Sequence, residues 1–145
     1  FLFRYLTKVI RMNKTTIILS QQDLDRLETM LEHQAKLSET MIRLEDELAR
    51  AEIVGPAEIA SNIVTMHSRV LLTIAPSPEP VEVTLVYPHE FKGDKGQVNV
   101  IAPIGAAILG LAEGQTIEWP QPDGHTMKVT IEKVLYQPES TGDYL

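Results

Sequence analysis

Residues 102–114, APIGAAILGLAEG, constrain the fold more than any other part of this chain. Before them, Val98, Val100 and Ala102 recur at the period of two that marks a half-buried strand. Pro103 then brings a fixed φ and no N–H, which suits the first turn of a helix. Ile104, Ala107 and Ile108 follow at helical spacing, Gly110 stands where a left-handed cap needs no Cβ, and Gly114 allows a second tight turn. A helix of about two turns is not stable alone in water. The spacing therefore predicts a strand, a short helix and a strand clamped together at the centre of a globular unit.

Upstream, TTIIL at 15–19 reads as a short strand, and then the period becomes helical. Ser20 with Asp23 three residues on is a capping-box-like start, and Leu24, Leu27 and Leu31 extend it to about His33. After a polar break, Ser38 caps a second helix with Glu39 in its first turn. Its seam, Met41, Leu44, Leu48 and Ala51, is narrow and flanked by charges. Two such stripes on a short link describe an antiparallel coiled-coil hairpin over 15–54, with Glu32, Lys36 and Glu39 at its tip. The alternative is that the stripes pack on the body of the protein. Gly55-Pro56 marks the boundary to a second domain, 55–145. There, alternation predicts strands at 63–74, 81–87, 116–119 and 128–136, beside the one at 97–102. Pro76, Pro78 and Pro80 make a loop, PDG at 122–124 makes a turn, and 137–145 reads as a tail. The fold class is α+β: a helical hairpin, then an antiparallel sheet of about five strands carrying one short helix.

The chain has 145 residues, enough for one ordinary domain and something small. Its net charge of −7 argues against a grip on phosphate backbones, so no direct nucleic-acid partner is expected. The absence of cysteine excludes disulfides, thiolate zinc sites and cysteine nucleophiles. No apolar run approaches the roughly 20 residues of a membrane span, so no membrane partner is expected; the lack of cysteine fits a reducing cytoplasm, and a monomer is expected. Residues 1–14 read as an extension, the first 11 being upstream or added sequence ahead of Met12, with an amphipathic surface helix as the alternative.

Chemistry is sparse. His33, His67, His89 and His125 share no ligand spacing and read as separate surface residues. Ser68, between His67 and Arg69, lies in a strand-like run and not in a nucleophile elbow, which predicts hydrogen bonding within the sheet. Gly105, Gly110 and Gly114 lack the spacing of a phosphate loop. Asp23, Asp25, Glu28, Glu32, Glu45, Asp46, Glu47 and Glu52 read as a solvated face of the hairpin. No catalytic residue, metal or cofactor is expected.

A helical hairpin followed by a β-rich domain with APIGAAILGLAEGQTIEW and a PDG turn resembles the Gre-type factors of bacterial RNA polymerase. IVTMHSRV, TLVYP and YQPESTGDYL strengthen the resemblance to one branch of them. The resemblance implies an FKBP-like carboxy-terminal domain and core RNA polymerase as partner. The body would sit on the rim of the secondary channel with the hairpin inside it. In Gre-type factors, tip carboxylates help hold a metal for cleavage of backtracked RNA. This chain departs in two places: its helices are about 14 to 16 residues, about 21 to 24 Å at 1.5 Å per residue, and its tip lacks a clear carboxylate pair. Docking without cleavage is therefore expected, with Pro103, Ile104 and Gly105 on the docking surface. Two other readings are an active transcript-cleavage factor and a peptidyl-prolyl isomerase-like module, the latter suggested only by fold.

Overall fold

The computed structural model describes residues 16–143; the predicted extension at 1–14 lies outside them. β1 (Ile18–Ser20) leads into α1 (Gln21–Glu32), and α2 (Glu39–Arg50) into β2 (Glu52–Val54). Both helices start on predicted serine caps: Ser20 Oγ accepts the Asp23 N–H at 3.1 Å and Ser38 Oγ the Met41 N–H at 3.2 Å. α2 ends earlier than its length in sequence suggests. Ala51 is already extended, and Ile53 and Val54 favour a strand. β1 and β2 pair in parallel, Leu19 opposite Ile53, so the two ends of the hairpin are tied together. With 12 residues each, the helices span about 18 Å, shorter than expected.

The body is a five-stranded sheet in the order β5-β4-β3-β7-β6, built from β3 (Arg69–Ile74), β4 (Val81–Val86), β5 (Gln97–Asn99), β6 (Thr116–Pro120) and β7 (Thr126–Tyr136). The sheet is mixed, which corrects the antiparallel expectation: β4 and β5 run parallel, because residues 87–96 carry the chain back before it pairs. Register shifts between β3 and β7 bend the sheet into a curl. The strand expected at 63–74 is confined to β3. Residues 63–68 form a turn instead, with His67 at φ 68° and Ile63 bridging Ala112.

α3 (Pro103–Ile108) has Pro103 in its first turn, as the motif predicts, and packs on β5, β6, β7 and α2. Gly110 has φ 79°, and a Cβ there would lie 2.5 Å from Cβ of Ile17. That close approach lets the Ile18 N–H reach Gly110 O at 3.1 Å, joining the hairpin to the central motif. Leu27, Leu31, Met41, Leu44 and Leu48 belong to one apolar cluster with sheet residues such as Leu72, Leu85, Trp119 and Ile131. The helical stripes are thus spent on the body as well as on each other. The predicted tail is also packed: Gln137 is buried, its Nε2 donating to Ala60 O at 2.7 Å and Ile63 O at 2.8 Å, and residues 138–141 form a short 3-10 turn. No helix among the described residues is long and apolar enough to cross a membrane.

Candidate functional site at the junction of hairpin and sheet

Asp23 sits in the first turn of α1, where a carboxylate suits the helix dipole. It does not reach back to its own cap. Its Oδ2 accepts the Met66 N–H at 3.0 Å, pinning α1 to the turn before β3, and only 4% of the residue is exposed. Burial, with the Glu139 carboxylate adding to it, pushes the Asp23 pKa up to about 6; the Met66 N–H and the His67 and Arg26 charges pull the other way. The reading of Asp23 and Glu47 as solvated carboxylates is corrected here: both are buried.

The turn that receives Asp23 is held from several sides. His67 donates its N–H to Leu85 O at 2.8 Å. Its Nε2 lies 2.8 and 2.9 Å from the two carboxylate oxygens of Glu90. An ionised carboxylate only accepts, so this nitrogen carries the proton. Glu90 also accepts the Tyr87 N–H at 3.0 Å. Burial alone would raise Glu90, but the Tyr87 N–H and the His67 ring hold it below the usual carboxylate range. Tyr87 makes an edge contact with His67 at 5.6 Å and stacks on His89 at 5.9 Å. Burial and the Asp23 charge push the Tyr87 hydroxyl up; it closes no hydrogen bond of regular geometry, and Arg26 offsets its burial. His67 and His89 therefore meet through Tyr87 and are not separate, while His89 is a surface residue as expected and His67 is half-buried.

Behind this layer, Ser68 Oγ accepts the Thr65 N–H at 2.9 Å, and Thr65 Oγ1 donates to Glu139 Oε1 at 2.7 Å. Ser68 is a buried structural hydroxyl, as its sequence context predicts, although it bonds within the turn and not along a strand. Together Asp23, His67, Tyr87, Glu90, Glu139 and Asp143 border a cleft of about 630 Å³ between α1 and the sheet.

The residues singled out by sequence lie elsewhere. Glu32, Lys36 and Glu39 are exposed at the hairpin tip. Beside them, the His33 ring bonds Thr29 O through Nδ1 at 2.7 Å. No three His, Cys, Asp or Glu side chains among the described residues come together as a metal-holding group. Pro103 and Ile104 are half-buried, Ile104 against the core, and Gly105 is buried. A Cβ on Gly105 would lie 2.1 Å from Asn99 O, so this glycine lets α3 approach the β5 backbone and offers no side for a partner.

Known proteins match the two parts separately and together. Residues 15–54 match the family described as Rnk N-terminus, and residues 59–136 match that described as transcription elongation factor, GreA/GreB, C-term. The regulator of nucleoside diphosphate kinase of Escherichia coli strain K12 is 38% identical over 92% of this chain and 99% of its own length. Transcription elongation factor GreA of Prosthecochloris aestuarii is 32% identical over 67% of this chain and 62% of its own. A solved structure, a prokaryotic transcription elongation factor GreA/GreB from Nitrosomonas europaea, superposes with a TM-score of 0.69 at 42% identity, covering 85% of this chain and all of that one. An Rnk N-terminus thus precedes a GreA/GreB-type C-terminal domain in this chain, which belongs to the family of regulators of nucleoside diphosphate kinase.

Proposed function

We propose that this protein docks as a monomer on core RNA polymerase in the cytoplasm, at the rim of the secondary channel, and competes there with Gre-type factors without stimulating transcript cleavage. Nucleoside diphosphate kinase levels change as an indirect result. The observation that carries this reading is the hairpin: two 12-residue helices whose apolar stripes are committed to the body. A second catalytic metal needs carboxylates placed beside the first, at the end of an arm long enough to deliver them. Here the arm is about 18 Å long, and Glu32 and Glu39 stand on opposite sides of the link. The exposed halves of Pro103 and Ile104, stiffened by the proline and backed by Gly105, supply an apolar contact at low ordering cost. An FKBP-like curl of the sheet does not bring isomerase chemistry with it. Trp119 is only 2% exposed and Phe91 is a surface residue, so no open aromatic pocket is formed by them.

The test uses a stalled, backtracked polymerase complex with magnesium. The protein alone should leave RNA shortening at its intrinsic rate, and an excess should suppress the shortening stimulated by a GreA factor. Shortening by this protein that disappears in Glu32→Ala or Glu39→Ala would overturn the reading. So would failure to retain core polymerase in a pull-down.

A further inference from the structure

We propose that the outer edge of β6 is a docking groove for an extended acidic peptide, a reading independent of the polymerase one. β6 ends the sheet on its side among the described residues. The Ile131 N–H donates to Gln115 O at 3.0 Å, and the Gln121 N–H to His125 O at 2.7 Å. Bonded pairs alternate along an antiparallel ladder, so the backbones of Ile117 and Trp119 face β7 while those of Thr116 and Glu118 face outward. These two residues offer N–H and C=O groups in turn, and Pro120 closes the row with a C=O alone. Such an edge is a template for another extended chain.

The edge is walled on its far side, which makes it a groove. A cleft of about 590 Å³ runs between β6 and the face of α2 that carries Arg43, Glu47 and Arg50. Glu47 and Arg50 pair at 2.5 Å and are nearly buried, so they present little net charge. Arg43, half-buried, and Lys128, exposed, form no ion pair among the described residues. Glu118 stands directly opposite Lys128 across the β6–β7 pair, on the same face of the sheet, so these two charges offset one another. In a chain of net charge −7, a groove in which Arg43 is the cation with no opposing carboxylate among the described residues selects an acidic partner locally. Backbone pairing supplies the binding, and a carboxylate of the peptide reaches Arg43 on the facing wall. Trp119, the only tryptophan, stands on β6 beside this cleft with its ring buried in the core, so its fluorescence follows repacking of that strand when the cleft is filled.

The experiment titrates the full chain with a blocked peptide of alternating Glu and Val, reading Trp119 fluorescence and calorimetric heat, with the Lys and Val counterpart as control. The acidic peptide should bind and the basic one should not. Arg43→Glu should weaken binding by about tenfold or more with an unchanged thermal transition. Glu118→Pro should also weaken it, because it removes an outward N–H that takes no part in the β7 ladder. Equal binding of both peptides, no binding of the acidic one, or full binding by Arg43→Glu would overturn the proposal. Sedimentation showing a dimer that Glu118→Pro dissociates would also overturn it, by assigning the groove to a second copy of the chain.

Discussion

Replacing Asp23 by Asn isolates the ionisation of the junction from its geometry. The amide oxygen still accepts the Met66 N–H, and the amide nitrogen can donate toward Glu139, whose charge raises the Asp23 pKa in the native protein. An acid whose folded pKa lies above its unfolded one holds its proton more tightly when folded. Its contribution to stability is therefore complete below the unfolded value of 3.8 and is lost as pH rises through about 6. The gap of about two units, at about 1.4 kcal/mol per unit, sets the loss at about 3 kcal/mol. At pH 4 Asp23→Asn should match the native protein. At pH 7 it should be more stable by up to about 3 kcal/mol, or about 6–12 °C in Tm.

Glu90 works with the opposite sign. Its folded pKa is depressed, so its contribution is present above its ordinary value of 4.5 and is lost as pH falls from there through the folded value, which begins inside the acid half of the Asp23 window. Urea unfolding at intervals from pH 3 to 8 separates the two limbs. Asp23→Ala is the control: it removes the acceptor from the buried Met66 N–H and should cost about 1–3 kcal/mol relative to Asn at every pH. An Asp23→Asn protein that is less stable than native at pH 7, or that keeps the native slope between pH 4 and 6, would refute the reasoning.

Gly105→Ala should destabilise by more than about 3 kcal/mol, because its Cβ would overlap the backbone of Asn99, and a melting curve near that of the native protein would contradict the packing. Ile104→Ala should cost about 1–2 kcal/mol, less than a fully buried isoleucine, while Ile104→Asp should lower polymerase capture further than its melting explains; capture that simply tracks stability would remove Ile104 from the docking surface. Leu44→Ala should cost about 2–5 kcal/mol and lower one common transition, with hydrogen exchange at the core positions of α1 and α2 slowed as in the sheet; two separate transitions would show a hairpin that melts by itself.

The parts of the fold legible in sequence are those whose causes are local. Ser20 and Ser38 each cap a helix through an N–H three residues on, and Pro103 opens α3 by its own fixed φ; Gly110 takes the expected left-handed turn because its own type allows it, although the groups it bonds, Val64 O and the Ile18 N–H, are distant. The junction was not legible because its partners are distant: Asp23 bonds a backbone group 43 residues on, and Thr65 a carboxylate 74 residues on. One local signal did exist. A capping box wants Glu or Gln at the third helical position, because the side chain must reach back over a turn. Asp is short for that task, which leaves its carboxylate to find an acceptor's role elsewhere. The parallel pairing of β5 and the left-handed His67 left no comparable trace, since both depend on where the sheet lies.

The narrow stripes on the two helices look, by period alone, like a coiled-coil seam, yet their burial makes a different demand. Leu27, Leu31, Met41, Leu44 and Leu48 are each at most 8% exposed, and burial of each is worth roughly 1.5–3 kcal/mol. Detaching the hairpin would expose much of that area, and the whole stability of a domain is only about 5–15 kcal/mol. The hairpin therefore cannot swing as an independent arm while the sheet stays folded. Its direction is fixed by the body, through Asp23 at the start of α1, Gly110 beside β1, and α3 against α2. A partner that binds the start of α3 meets the hairpin at one fixed angle and one fixed length. Lengthening the helices by whole turns, without moving the junction, is then the change that would extend the tip toward a distant site and leave the body's contacts as they are.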